Sequence, residues 1–330
     1  MKSTSNYIVY VVAVVVVLAF TFSSCKDQFD INVLRESPKM VVYCFPSTAD
    51  TTFINVSRSI PVQQKKIADE VKAINNARIS YRINRQEQVV RQKRSGQYYV
   101  TSLQRPGDQI DLAISADGIG SVYASTTIPK EVPIAQLKMQ EVRRYDYESG
   151  RAQKYIQMQP TFTDDAVSDD YYAVSVSAKG YFRKNGGLYQ GYLPTEIALD
   201  SAWFRMEINS KDEPLLKPLS DLDSNFGFES GSYNRFYIFD DKQINGQTYT
   251  MHLNVSDWFN DYQLKNIKYF TELYCITRDY YLFIKSLNDA ANNGLARVGL
   301  AQISPIYSNI VGGIGLLGAY TVNRKEPDKR

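Results

Sequence analysis

Histidine and cysteine are nearly missing from this sequence. One histidine and three cysteines in 330 residues leave too few ligands for the common zinc sites and no framework for a disulfide-dense scaffold. An excess of either charge is missing too. With 38 basic side chains against 35 acidic ones, a formal net charge of +3, the chain is neither a polybasic nucleic-acid binder nor an acidic disordered one. No G-x-S-x-G element is present to hold a serine on a strand-to-helix elbow. A Ser-His-Asp or Cys-His relay would have to use His252, which alternates with Thr248, Thr250 and Asn254 on what reads as the polar side of a strand. The residues therefore give no catalytic group, no metal ligand set and no cofactor site. A two-carboxylate glycosidase needs no histidine and stays open on composition. What abounds is aromatic: 25 tyrosines and 15 phenylalanines, side chains that suit the pleated surface of a sheet and its cross-strand pairs. Tyr145, Tyr147, Tyr189, Tyr192 and Trp203 do not alternate into an obvious core, which makes them candidates for exposed contacts.

The N-terminus carries an address. Met1-Lys2 and a short polar stretch lead into an apolar block of 14 residues, Tyr7–Phe20. A membrane-crossing helix needs roughly 20 apolar residues, whereas a secretory signal core needs about 7–15. Ser23 and Ser24, both small, stand directly before Cys25. This order resembles the lipobox of bacterial lipoproteins, in which Cys25 becomes the first residue of the mature chain and carries the acyl groups. Phe22 departs from the leucine usual at its position. Lys26-Asp27-Gln28, with Asp30 close behind, is similar to the export tag of surface lipoproteins. The reading is a lipoprotein signal peptide over 1–24 and a tether over 25–38, holding the protein to a lipid bilayer through acylated Cys25. Each buried methylene of such an anchor contributes about 0.8 kcal/mol. Cys44 and Cys275 then remain as unmodified thiols, read as separate buried residues that pack as small hydrophobes.

From Lys39 the pattern turns to period two. Val41–Phe45 is a short apolar run, and Ile54, Val56 and Ile60 alternate with polar neighbours. Ile79, Tyr81 and Ile83 do the same, then Tyr98–Val100 after Gly96, Ile110–Ile114 after the Pro106-Gly107-Asp108 turn, and Val122–Thr126 after Asp117-Gly118. Strands at this spacing predict an Ig-like or fibronectin-like β-sandwich over 39–130. A second β-rich domain is expected over 131–323. Its strand candidates include Ala135–Arg144, Lys154–Thr161, Tyr171–Ala178, Arg235–Phe239, Gln247–Val255 and Lys268–Ile276. Asn245-Gly246 signals a two-residue hairpin between Phe239 and Tyr249. One helix is expected over 278–293, capped by Thr277, with Tyr280, Ile284, Leu287 and Ala291 along its packed face. The fold class is mainly β, with a charged tail over 324–330.

Three local patterns imitate binding motifs. Gly313-Ile314-Gly315-Leu316-Leu317-Gly318 fits G-x-G-x-x-G, but it lacks the following helix and acidic residue a dinucleotide site needs, and reads as a strand with close backbone approach. Asp221-Leu222-Asp223-Ser224-Asn225 resembles the start of a calcium loop, yet Phe226 and Ser232 stand where glycine and glutamate are required. Asp164-Asp165 and Asp169-Asp170 read as exposed turns.

Taken in order, several segments resemble a family of Bacteroidota surface lipoproteins described only as a domain of unknown function. They are Ala77–Tyr99, Pro106 through Pro129, Phe162–Asp165 before Tyr171-Tyr172, Phe239–Asp241 with Asn245–Gln247, Tyr280–Leu287, and Asn309 through Tyr320. Members are often encoded beside TonB-dependent importers of the starch-utilisation type. The resemblance implies an outer-membrane, surface-exposed, non-enzymatic accessory or ligand-binding subunit of a nutrient import complex. Its partners would be the importer and its partner lipoprotein, with peptide or glycan cargo and no nucleic acid. It carries over no catalytic or ligand residue. A surface hydrolase of glycans or peptides and a stand-alone adhesin or structural lipoprotein are the competing expectations.

Overall fold

The computed structural model describes residues 37–60, 72–146, 150–183, 199–217, 234, 236–256, 267–293, 302 and 305–329. The first eight strands are β1 (Met40–Cys44), β2 (Thr51–Arg58), β3 (Arg78–Ile83), β4 (Gln86–Glu87), β5 (Val90–Arg94), β6 (Gln97–Thr101), β7 (Gln109–Ala116) and β8 (Gly120–Thr127). They split into a sheet ordered β1-β2-β6-β5 and a facing sheet ordered β4-β3-β7-β8. That partition is the A-B-E-D against C′-C-F-G order of an Ig-like sandwich. Period-two alternation builds its core: Val42, Ile54, Val56 and Val100 from one sheet meet Tyr81, Ile110, Leu112 and Ile114 from the other. The two strands that alternation misses, β4 and β5, are short and polar. β5 reads Val-Arg-Gln-Lys-Arg and lies at a sheet edge, where basic side chains discourage pairing with another chain.

The second half adds β9 (Gln136–Asp146), β10 (Arg151–Thr163), β11 (Tyr171–Arg183), β12 (Leu199–Met206), β13 (Ile208–Asn209), β14 (Ile238–Asp240), β15 (Thr248–Thr250), β16 (Leu253–Ser256) and β17 (Lys268–Ile276). The helix α1 (Arg278–Asn292) and the strands β18 (Ile314–Leu317) and β19 (Tyr320–Lys325) complete it. One sheet is centred on β10, paired with β9 and with β15 and β16, and β13 lies beside β16. The other is ordered β12-β11-β17-β19, with β14 beside β11. Between them lie Leu137, Met158 and Phe162 on one side and Tyr172, Val174, Val176 and Leu273 on the other. Phe162, Tyr172 and Phe239 form a ring cluster with centroids 5.2–6.2 Å apart, each pair contributing about 0.5–1.5 kcal/mol beyond its area.

Asn245-Gly246 does not close a hairpin. β14 pairs with β11 and β15 with β10, so this turn carries the chain from one sheet to the facing one. Gly246 is still required, since it holds a left-handed φ of +69° and a Cβ there would meet Ala166.

The helix packs over a broader face than expected, with Ile284 buried and Tyr280 and Leu287 against the same core. Its fully buried residues are Tyr281, Phe283, Ile284 and Asn288, while Tyr280 and Leu287 are half-buried. Tyr281, Phe283 and Ile284 pack with Ile238, Ile276 and Leu316 in a third core that also takes in Tyr43 and Phe45. Contact with both sandwiches turns the buried stripe away from a simple one-sided face. Thr277 stands at the N-cap, but its hydroxyl makes no cap bond.

The C-terminal strands lace the two sandwiches together. β18 runs parallel to β1 and extends the first sheet, and β19 pairs antiparallel with β17 in the second. The glycines of the G-x-G-x-x-G pattern serve this approach. A Cβ on Gly315 would lie 1.9 Å from the Val42 carbonyl oxygen, and one on Gly313 2.7 Å from that of Met40. The charged tail is ordered as well. Arg324 and Lys325 belong to β19, and Asp328 exchanges two 2.8 Å hydrogen bonds with Leu137, donating its N–H and accepting at its carboxylate.

Candidate functional site

Alternation in β11 puts Val174, Val176 and Ala178 into the core, so Ala173, Ser175 and Ser177 point to the outer face of their sheet. In β17, Leu273 and Cys275 point inward, which places Glu272 and Tyr274 outside. Register sets Glu272 opposite Ser175 on one side and Arg324 of β19 on the other. The Glu272 carboxylate is only 4% exposed. Its Oε2 accepts from Ser175 Oγ at 2.5 Å, and its Oε1 from Ser177 Oγ at 3.1 Å and Arg324 Nε at 2.9 Å. A buried carboxylate is tolerated when its lone pairs are met in this way.

These groups floor an open cavity of about 620 Å³. Tyr280 and Ile284 of α1, Phe45, Tyr320, and Phe204 and Arg205 of β12 are among its lining residues. Trp203 marks the rim and is 49% exposed. Its ring lies 4.8 Å from Phe270, with the Arg324 guanidinium at 4.9 Å and Lys179 Nζ at 5.6 Å. Cations over an indole face are attracted by its quadrupole. Burial pushes the Tyr280 phenol up to about 12. Burial also raises Tyr274, helped by the Glu272 charge. Both therefore stay protonated at neutral pH.

A second cavity, about 780 Å³, is lined by Tyr155, Glu207, Asn209, Tyr237 and Ser256, and shares Arg205 with the first. Tyr237 holds a left-handed φ of +52° there, a strained conformation for a bulky residue. Its N–H donates to the Asn234 carbonyl at 3.1 Å, and its hydroxyl accepts from Ile208 N–H at 2.9 Å.

The paired aspartates are not simple exposed turns. Asp164 is buried, and one carboxylate oxygen from each of Asp164, Asp170 and Asp241 lies within 4.8 Å of the other two. Tyr172 Oη donates to Asp164 Oδ1 at 2.5 Å, Gly246 N–H to Asp164 Oδ2 at 2.9 Å, and Asp170 N–H to Asp241 Oδ2 at 2.8 Å. The cluster ties the turn before β11 to the turn after β14. Burial raises the Asp170 and Asp241 carboxyls above the ordinary aspartate value, and the neighbouring Asp164 charge adds to both.

His252 is exposed and its backbone N–H donates to Glu213, which also accepts from Tyr249 and the Leu215 N–H. Asn254, placed beside it on the polar side, is buried between Gln157 and Asp212. Trp203 is at the cavity rim, and Tyr145 is exposed on β9. Cys25, Tyr147, Tyr189, Tyr192 and the Asp221–Asn225 loop lie outside the described residues. Cys44 and Cys275 are free and buried, one in each sandwich core. Sequence reading missed Ser175, Ser177, Glu272 and Arg324. The available signal was a polar residue recurring at alternate positions within apolar strands.

The arrangement is that of a two-sandwich β protein with one cavity opening on a sheet face, above a carboxylate already ion-paired and hydrogen-bonded by its own chain. The chain belongs to the family described as a domain of unknown function, DUF4249, whose model matches residues 26–326. It matches no curated protein and no solved structure. No helix among the described residues is long and apolar enough to cross a membrane.

Proposed function

We propose that this protein is a lipid-anchored, non-enzymatic ligand-binding or accessory subunit of a TonB-dependent nutrient importer, held at the outer-membrane surface by acylated Cys25. The short apolar leader ending in Ser23-Ser24-Cys25 supports the anchor. The state of Glu272 is the observation that carries the binding role. It is the one carboxylate among the cavity's described lining residues, and both of its oxygens accept hydrogen bonds from Ser175, Ser177 or Arg324. A general acid or base needs an oxygen facing substrate; this carboxylate instead shapes a fixed floor beneath aromatic walls. Peptide or glycan cargo is the class of ligand such an importer handles.

The test is purification from outer membranes in native detergent with a tagged importer. Stoichiometric recovery of this chain is expected, lost on Cys25→Ala substitution along with membrane retention. Recovery of this chain alone, in good yield, would refute the accessory role in favour of a stand-alone adhesin.

A further inference from the structure

We propose that the cavity between α1 and Trp203 binds a carboxylate carried on an apolar body, with Arg324 and Arg205 holding the carboxylate. The inference rests on the binding role proposed above and names its ligand chemistry. Arg324 offers five N–H donors in a planar fork, and its hydrogen bond to Glu272 is made through Nε. Its side chain is 52% exposed, and Trp203 stacks 4.9 Å from the guanidinium carbon. The group is thus held in orientation by Glu272 on one side and an indole on the other, with its terminal nitrogens left to face a ligand. Such preorganisation lowers the ordering cost of binding.

Charge at the opening has one sign in excess. Among the described lining residues, Arg205 and Arg324 stand against Glu272 alone, and Lys179 stands over Trp203 at the rim. Because Glu272 is already paired, the surplus favours an incoming anion. Arginine meets a carboxylate bidentately, which selects a planar acid over a diffuse charge.

The rest of the lining chooses the body of the ligand. Phe45, Phe236, Ile276, Tyr280, Ile284 and Tyr320 present apolar or aromatic surface. The two serine hydroxyls on the floor, Ser175 and Ser177, both donate to Glu272, and the other hydroxyls of the described lining are carried on the rings of Tyr274, Tyr280 and Tyr320. An oligosaccharide needs a row of free donors and acceptors, and the serines of this floor are spent on Glu272 while the walls are mostly aromatic and aliphatic. A volume of about 620 Å³ falls within the range of small-ligand sites and suits a few residues of peptide. A peptide ending in an apolar residue with a free α-carboxylate and a small aromatic acid share the required chemistry.

Tryptophan fluorescence of the full mature chain tests this, since the sequence holds only two tryptophans, Trp203 and Trp258. A Trp258→Phe background assigns the signal to Trp203. The probes are the tripeptide Ala-Ala-Phe as free acid, the same peptide as C-terminal amide, phenylpropionate, and a galacturonate oligomer. Saturable quenching by the free acid is expected, with at least about tenfold weaker binding of the amide, the loss expected of a charge-assisted hydrogen bond. Phenylpropionate binding as tightly as the peptide would identify a small acid as the ligand; weaker binding would identify the peptide end. Arg324→Lys should remove the preference for acid over amide, and Arg205→Gln should weaken acid binding without moving the thermal midpoint. Equal binding of acid and amide, binding of galacturonate alone, or no saturable binding overturns the inference. Importer co-purification with the same protein remains a separate readout, so either idea can fail alone.

Discussion

Replacing Gly315 with alanine should unfold much of this protein, although it adds one methyl group. The residue holds φ at +123°, and its Cβ would sit 1.9 Å from the Val42 carbonyl oxygen and 2.8 Å from the carbonyl carbon. A backbone region used almost only by glycine costs about 1–3 kcal/mol for any other residue. The steric clash costs more. Relief requires β18 to leave β1, which breaks a parallel ladder registered from Val41–Ile314 to Cys44–Leu317. Each backbone hydrogen bond lost contributes about 0.5–1.5 kcal/mol. Leu316 and Leu317, both fully buried, would be pulled from two different cores at about 1.5–3 kcal/mol each. The total exceeds about 5 kcal/mol, a large part of the 5–15 kcal/mol that a domain usually has. Urea denaturation at 25 °C is the assay, with Gly118→Ala as control. Gly118 has φ +78° and no atom within 4 Å of its would-be Cβ, so it should lose only about 1–2 kcal/mol. If Gly315→Ala unfolds with the same midpoint as the control, the close approach of β18 to β1 is not what fixes this glycine.

Other outcomes follow from the buried titrating groups and the tail. Because the folded Asp170 and Asp241 carboxyls are raised above 3.8 by burial, the stability they contribute is complete below that value and is lost as pH rises through the folded values. Asp170→Asn should therefore raise the thermal midpoint at pH 7, by an amount that shrinks toward pH 4; a constant gain across that range would contradict the assignment. Burial pushes the Cys275 thiol up to about 12 and Cys44 higher still, so iodoacetamide at pH 8 should label neither until denaturant is added. Backbone donation by Leu137 holds the Asp328 carboxyl below its ordinary value. Asp328→Ala should speed hydrogen exchange at the Leu137 amide, and unchanged protection there would show that the tail clamp is dispensable.

Alternation made most of this fold legible, and its failures share a cause. Ile54, Val56, Ile110 and Val174 announce their strands because one face of each is wet or polar and the other packed. β5 gives no such sign, being polar after Val90 and joined to β6 through its backbone. The Asn245-Gly246 turn has the residues of a hairpin, but turn chemistry reports local φ and not which sheet each arm joins. Trp203 stood out as an aromatic without a core position, whereas Glu272 was hidden among neighbours that read as an ordinary strand. Its meaning depends on Ser175 and Arg324, each brought beside it by strand register.

That dependence on distant pairing also links the first sandwich to the cavity. β1, the first strand among the described residues, is clamped between β2 and β18. β18 passes through Gly318 and Ala319 into β19, and the Gly318 and Tyr320 N–H groups donate to the carbonyls of Cys44 and Pro46 on the way. β19 then supplies Arg324 to Glu272. Strand order thus makes one covalent and hydrogen-bonded path from the start of the first sandwich to the floor of the cavity in the second. Contacts between residues so far apart in sequence are slow to form, because loop closure precedes their reward. The second sandwich therefore completes its β19 edge only once the C-terminal strands have arrived. Since Arg324 is on that edge, the cavity acquires this cation at the same step that locks the two sandwiches together.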